Sequence, residues 1–396
     1  MTLPVCPGFQ WSGVSAGIKP GGDKDLGMIL SNMPARAAAV FTKNRVKAAP
    51  VQLDLERIVS GICQAVIVNS GNANCCTGEQ GMGDARLMTR LVAEELGIDE
   101  EWVLVASTGV IGVPMPMDKV TAAVPKAVEA LSPDGFIDFA TSILTTDQFP
   151  KTVTQVFQMD DGSEFSITAA AKGAGMIHPD MATMLCFVCT DIQAAPEALA
   201  TILGRAVDYS FNRITVDGDT STNDTVMIMA SGMSEADLGT DSNRNRFQQA
   251  LDEVLLEIAK MIVRDGEGAT KLVEVNVRGA HSAEEARRAA QVVAGSPLVK
   301  TAFFGEDVNW GRIMAAVGRS GVEMKPEKLD IFYDTVQVVS HGRGCGAAAE
   351  AAAGKVIRQS EMTLVIDLNT GGTGNASMFT SDLTLDYVKL NAHYRS

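Results

Sequence analysis

Residues 171–191, AKGAGMIHPDMATMLCFVCTD, set the terms on which the rest of this chain can fold. The second half, Met-Leu-Cys-Phe-Val-Cys, is apolar without interruption and reads as a buried strand. The first half is a glycine-rich loop (Lys172, Gly173, Gly175) followed by a turn at Pro179. Thr183 stands between the two. A hydroxyl residue at such a junction is held rigidly by the strand, with its backbone entering from the flexible side. That suits a residue that cuts its own peptide bond and then works as an N-terminal nucleophile. Its freed α-amine titrates near neutral pH and sits beside the hydroxyl it must activate. Taken alone, the spacing favours an ordinary glycine loop, a proline turn and a strand that opens with Thr.

Strand-like and helix-like segments alternate along the chain. Residues 37–42, 63–69, 102–107, 225–230 and 272–277 are short apolar runs of strand character. Residues 84–96, 117–131 (with Pro125 as a potential kink), 196–207 and 245–263 repeat apolar residues at helical spacing. Asp160-Asp161-Gly162 marks a hairpin between 151–159 and 164–170. Ser282 and Glu285 form a capping box that opens a further helix. From 328 onward come strands at 328–333, 336–340 and 362–368, an Ala-rich helix at 347–353 and a strand-like tail. The pattern predicts a mixed α/β (α+β) fold of layered sheets rather than one doubly wound sheet. A subdomain break is expected near 277–282, leaving a smaller C-terminal α/β subdomain over 282–396.

A net charge of −15 argues against general nucleic-acid binding or attachment to an acidic membrane. The N-terminal residues lack a basic region leading into an apolar one, and no run is apolar enough to span a bilayer. Seven scattered cysteines, an odd number, point to a reducing compartment without a disulfide framework. The expectation is a cytoplasmic protein with neither nucleic acid nor membrane as partner.

Other motifs lack the context their chemistry needs. Gly13-Val14-Ser15-Ala16-Gly17 matches the nucleophile elbow of serine hydrolases, but Ile-Lys-Pro-Gly-Gly follows and cannot open the required helix. Gly344-Cys345-Gly346 lacks the third glycine of a dinucleotide loop, and Gly354-Lys355 lacks the P-loop spacing. Residues 217–223 begin like a calcium loop, yet Thr222 replaces the turn glycine and Ile228 the bidentate Glu. A loop so dense in Asp, Thr and Asn instead braces backbone groups around a site. Cys186-x-x-Cys189 has no companion pair, and His178, His281, His341 and His393 offer no ligand spacing. Neither a metal nor a bound cofactor is expected. So few histidines leave room for a nucleophile that supplies its own base.

The segments GVSAGIK (13–19), NSGNAN (69–74), STGVIG (107–112), TTD (145–147) and KGAGMIHPDMATML (172–185) together resemble the glutamate N-acetyltransferase family, also called ornithine acetyltransferases. FNRITVDGDTSTNDT (211–225), DGEGATK (265–271), FFGEDVNWGRI (303–313) and the tail NAHYRS (391–396) continue the resemblance in order, so it covers nearly the whole chain. The tail departs from the family pattern at His393 and Ser396, where Asp and Thr are commoner; Ser396 keeps the hydroxyl.

The resemblance implies an αββα sandwich similar to that of N-terminal nucleophile hydrolases. It implies self-cleavage between Ala182 and Thr183, giving an α fragment 1–182 and a β fragment 183–396. These would stay associated and pair into (αβ)2 or larger assemblies. Thr183 would be the nucleophile, with Thr108 and Gly109 stabilising the oxyanion. Thr146, Lys172, Thr183, Glu267, Asn391 and Ser396 would hold the substrates, N-acetylornithine and glutamate. Acetyl-CoA stays open as a further donor. Two other readings share these features: a self-cleaving aminopeptidase of related fold, and an inactive relative that serves as a binding protein.

Overall fold

In the computed structural model, residues 6–178 and 184–393 are described. Their strands are β1 (Phe9–Val14), β2 (Leu26–Phe41), β3 (Ile62–Asn72), β4 (Val103–Val110), β5 (Lys151–Gln158), β6 (Glu164–Lys172), β7 (Leu185–Thr190) and β8 (Ile214–Thr215). Then follow β9 (Thr225–Ala230), β10 (Leu272–Ala280), β11 (Asp330–Tyr333), β12 (Val336–Ser340), β13 (Arg343–Gly344), β14 (Glu361–Asp367) and β15 (Gly374–Ser381).

One sheet runs β4-β3-β2-β9-β7-β6-β5, with β1 paired onto β2. The long β2 makes this possible: its first half pairs with β1 and β3, and Arg36–Phe41 pair with β9. Both faces of the sheet are covered, which is why β7 and β9 each carry an unbroken apolar run. On β7, Cys186 and Val188 pack with the helices Pro196–Tyr209 and Asp241–Arg264. Leu185, Phe187 and Cys189 pack on the opposite face with Trp11 and Phe139. The two cysteines of the CxxC therefore point to opposite faces and cannot chelate together; burial pushes both thiols up. Each large side chain in these clusters contributes about 1.5–3 kcal/mol by leaving water.

The second sheet runs β13-β12-β11-β14-β10-β15-β8. Helices Ala283–Ala294, Trp310–Gly318 and Ala347–Val356 cover one of its faces. Ile214, Leu272 and Phe379 join the core of the first sheet through helix Asp241–Arg264. The architecture is mixed α/β with layered sheets. Among the described residues, no helix is long and apolar enough to cross a membrane.

The expected elements are present, several with moved ends: the helix predicted from 84 starts at Gly78, and the strand predicted from 37 starts at Leu26. Ser282 Oγ accepts the Glu285 N–H at 3.2 Å and caps its helix as expected. The C-terminal tail needs correction: Leu385–His393 is a helix, not a strand. None of its residues is buried, so no apolar stripe marks it in the sequence.

Candidate active site

Strand β3 pairs in parallel with β4, and β6 ends at Lys172 opposite Leu185, the first residue of β7. The loops leaving β4 and β6 meet the turn after helix Asp241–Arg264 around one cleft. Thr108, Gly109, Thr145, Thr146, Lys172, Gly175, Asn223, Glu267 and Asn391 line it, with Ala73, Ile111, Met176, Ser221 and Thr222. Two glycines permit this approach. Gly109 has φ +134°, and a Cβ there would lie 2.3 Å from the Gly71 carbonyl carbon. A Cβ on Gly175 would lie 2.6 Å from the Glu267 carboxyl carbon.

The cleft wall contains a buried charge network. Asp147, its side chain fully buried, accepts N–H bonds from Gly173 at 2.6 Å and Thr145 at 3.0 Å. It pairs with Lys151 at 2.5 Å and lies 3.7 Å from Lys172. Lys151 also pairs with Asp265, whose carboxylate accepts the Gln148 N–H at 2.9 Å as well. Burial alone would push the Asp147 carboxyl up, but Lys172 and Lys151 outweigh it and hold it well below the usual carboxylate range. Burial pushes the Lys172 ammonium down, against the pull of Asp147. Lys172 Nζ donates to Thr145 Oγ1 at 2.7 Å. An arriving carboxylate would supply Lys172 with the charge that burial makes it need.

Opposite stands Glu267, which accepts from Asn391 Nδ2 at 2.7 Å. The polar loop 217–224 braces backbone as its composition suggested. Asp217 accepts the N–H groups of Met176 at 2.6 Å and Ile177 at 2.8 Å. Asp224 accepts that of Met184 at 3.0 Å. Asn223 Nδ2 donates to the carbonyls of Ala73 at 2.7 Å and Ser107 at 2.8 Å, tying this loop to the end of β4. One loop therefore holds both flanks of the 179–183 stretch.

Of the site residues expected from sequence, Thr108, Gly109, Thr146, Lys172, Glu267 and Asn391 line the same cleft. Ala182, Thr183 and Ser396 lie outside the described residues. Asp147 received no role from sequence, although it closes the TTD segment. Its three hydrogen-bond partners among the described residues come from within 26 positions of it, and no sequence pattern announces them. Among the described residues, no group of three or more His, Cys, Asp or Glu is placed to hold a metal.

The model of the ArgJ family matches residues 10–396. The chain belongs to the ArgJ family. An "Arginine biosynthesis bifunctional protein ArgJ" of Geobacter sulfurreducens is 52% identical over 391 residues, covering 98% of this chain and 99% of the relative. Its namesake in Symbiobacterium thermophilum is 50% identical over 400 residues, 100% of this chain and 98% of the relative. Among solved structures, the crystal structure of a family member from Bacillus halodurans is 41% identical with a TM-score of 0.50. The match covers 52% of this chain and 98% of that one.

Proposed function

We propose that this chain is the acetyltransferase of arginine biosynthesis that moves the acetyl group of N-acetylornithine to glutamate. The observation that supports this most is the convergence of Thr108, Gly109, Thr146, Lys172, Glu267 and Asn391 on one cleft, beside the flanks of Thr183. Cleavage between Ala182 and Thr183 frees the α-amine of Thr183, which takes the proton of its own hydroxyl. The hydroxyl attacks the acetyl carbonyl, and Thr108 and Gly109 supply donors to the oxyanion that forms. Ornithine leaves with the proton, and the amine of glutamate then attacks the acetyl ester, restoring the hydroxyl. Lys172 pairs with the substrate α-carboxylate and Glu267 with the side-chain ammonium of ornithine. Thr146, Asn391 and Ser396 orient the rest.

Relatives over the full length are called bifunctional, which supports a second activity. Here that activity is acetylation of glutamate from acetyl-CoA as co-substrate. The fragments 1–182 and 183–396 stay together as (αβ)2 or a larger assembly in the cytoplasm.

The test is the intact mass of the protein beside its Thr183→Ala variant, followed by assays with each donor. Two fragments, the second starting at Thr183, a single uncut variant chain and ping-pong kinetics are expected. An uncut native chain without acetyl transfer would favour the reading as a binding protein. Unchanged affinity for ornithine in Glu267→Gln would overturn the role given to Glu267.

A further inference from the structure

Helix Pro297–Phe304 lies outside the cleft, yet it carries a lysine that none of the chemistry above uses. Lys300 is 3% exposed and has no carboxylate within ion-pair distance among the described residues. Its Nζ meets three acceptors instead: Thr380 Oγ1 at 2.9 Å, Ser381 Oγ at 3.2 Å and the Ser381 carbonyl. Both hydroxyls have already committed their hydrogens to carbonyls. Thr380 donates to Ala294 at 2.9 Å or Ser381 at 3.3 Å, and Ser381 donates to Asp382 at 3.0 Å. All three contacts therefore require a hydrogen from Nζ, a count that only the ammonium meets.

What these acceptors begin is the tail. Asp382 accepts from the Thr270 N–H at 2.8 Å, the Thr270 hydroxyl at 2.6 Å and the Lys271 N–H at 3.2 Å. Thr384 Oγ1 donates to the Gly268 carbonyl at 2.8 Å and accepts the Tyr387 N–H at 3.1 Å, starting helix Leu385–His393. That helix ends with Asn391 on Glu267. The Leu383 N–H returns to the carbonyl of Lys300 itself at 3.3 Å.

We infer that Lys300 is a positioning residue: its ammonium pins residues 380–382, and through them sets the tail helix that brings Asn391 to the cleft. The inference rests on the proposed role of Asn391 for its kinetic consequence, but not for its structural one. The charged groups that bear on Lys300 are Asp382 and Asp217. Burial drives its ammonium down to about 7, against the pull of both carboxylates, so the clasp would lose its third donor as pH rises through neutrality.

Lys300→Met and Lys300→Arg would be compared with the native enzyme for KM, kcat, their pH profiles and amide hydrogen exchange. In Lys300→Met, KM for N-acetylornithine is expected to rise at least severalfold with kcat changed less. Native kcat/KM is expected to fall above pH 7 and that fall to flatten in the variant, whose amides of 382–393 should exchange faster. Lys300→Arg, which keeps the charge, should recover part of the affinity and retain its pH profile into the alkaline range. A Lys300→Met enzyme with native KM, pH profile and tail exchange, even one that melts lower, would overturn the inference. Should that variant not fold, the native protein decides. Protection of 382–393 must drop above pH 7 relative to helix Asp241–Arg264, and equal behaviour of the two segments would overturn it. Asn391→Ala separates the two readings: an unchanged KM there ends the role of Asn391 while the exchange result still judges Lys300.

Discussion

Asp147 does more for the cleft than any residue that lines it. Its two oxygens hold the N–H groups of Thr145 and Gly173 and face both Lys151 and Lys172, so one carboxylate fixes two walls at once. Asp147→Asn leaves Lys151 with Asp265 alone and takes from Lys172 its paired carboxylate, and breaking a buried pair in this way costs about 3–5 kcal/mol. The same change removes the carboxylate that opposes the downward push of burial on the Lys172 ammonium, so less of it is charged to meet a substrate carboxylate, and KM for N-acetylornithine should rise by about tenfold or more, a loss near 1.4 kcal/mol. The pH dependence follows from the direction of the shift. The Asp147 carboxyl titrates below its unfolded value of about 3.9, so its stabilisation is complete above that pH and is lost as pH falls through the lower, folded value. Thermal melts of native protein and Asp147→Asn should therefore lie far apart at neutral pH and converge below about pH 4. Melting curves that stay parallel into acid would show that the network contributes no such term.

Among the elements, the tail helix Leu385–His393 is the one whose loss would be felt in function before stability. It buries no residue fully, and what holds it to the molecule includes Thr384, Asp382, the half-buried Tyr387 against Asp217, and the Asn391–Glu267 bond. Gly268 is its seat: with φ +68°, a Cβ there would come within 2.5 Å of the Tyr387 nitrogen. Gly268→Ala adds a left-handed strain of about 1–2 kcal/mol to that collision. The expected outcome is a KM raised about tenfold or more with the melting temperature little changed, because the displaced helix covers no core. A large fall in melting temperature with native KM would mean that the turn serves the fold instead. This helix also shows what a sequence can and cannot reveal. Strands β7 and β9 announce themselves because burial on two faces fills all but one end position of each with apolar residues. The hairpin at Asp161-Gly162 does so through turn chemistry. An exposed helix held by side-chain hydrogen bonds from distant loops leaves no periodic trace, and neither does a network such as that of Asp147. Family resemblance supplied Lys172, Glu267 and Asn391 together, whereas spacing alone would not have joined residues so far apart in the chain. Asp217 and Asn223 were legible as a bracing loop, but not the backbone groups they brace.

At the scale of the whole molecule, the strand order decides what the proposed self-cleavage would do. A cut between Ala182 and Thr183 puts β1–β6 in one fragment and β7–β15 in the other. Yet β7 and β9 lie between β2 and β6 in the first sheet, hydrogen-bonded on both sides. Aromatic contacts cross the same divide: Phe165 meets Phe247 at 5.4 Å between ring centroids, and Phe139 meets Phe187 at 5.5 Å. Neither fragment can leave without opening two ladders, β2–β9 and β6–β7, and exposing two cores, each side chain of which costs about 1.5–3 kcal/mol to return to water. Exposed ion pairs contribute little to this union, so salt, which screens charges within about 3 Å at molar strength, should not part the fragments. The cleaved protein is expected to elute as one species in molar salt and to unfold with both fragments in a single transition, seen by labelling each separately. Two transitions, or release of one fragment before the other unfolds, would mean that the shared sheet is not what joins them. A single transition would also explain why a chain can survive a cut beside its own active site: the strands on either side of the break are already locked by partners from the other fragment.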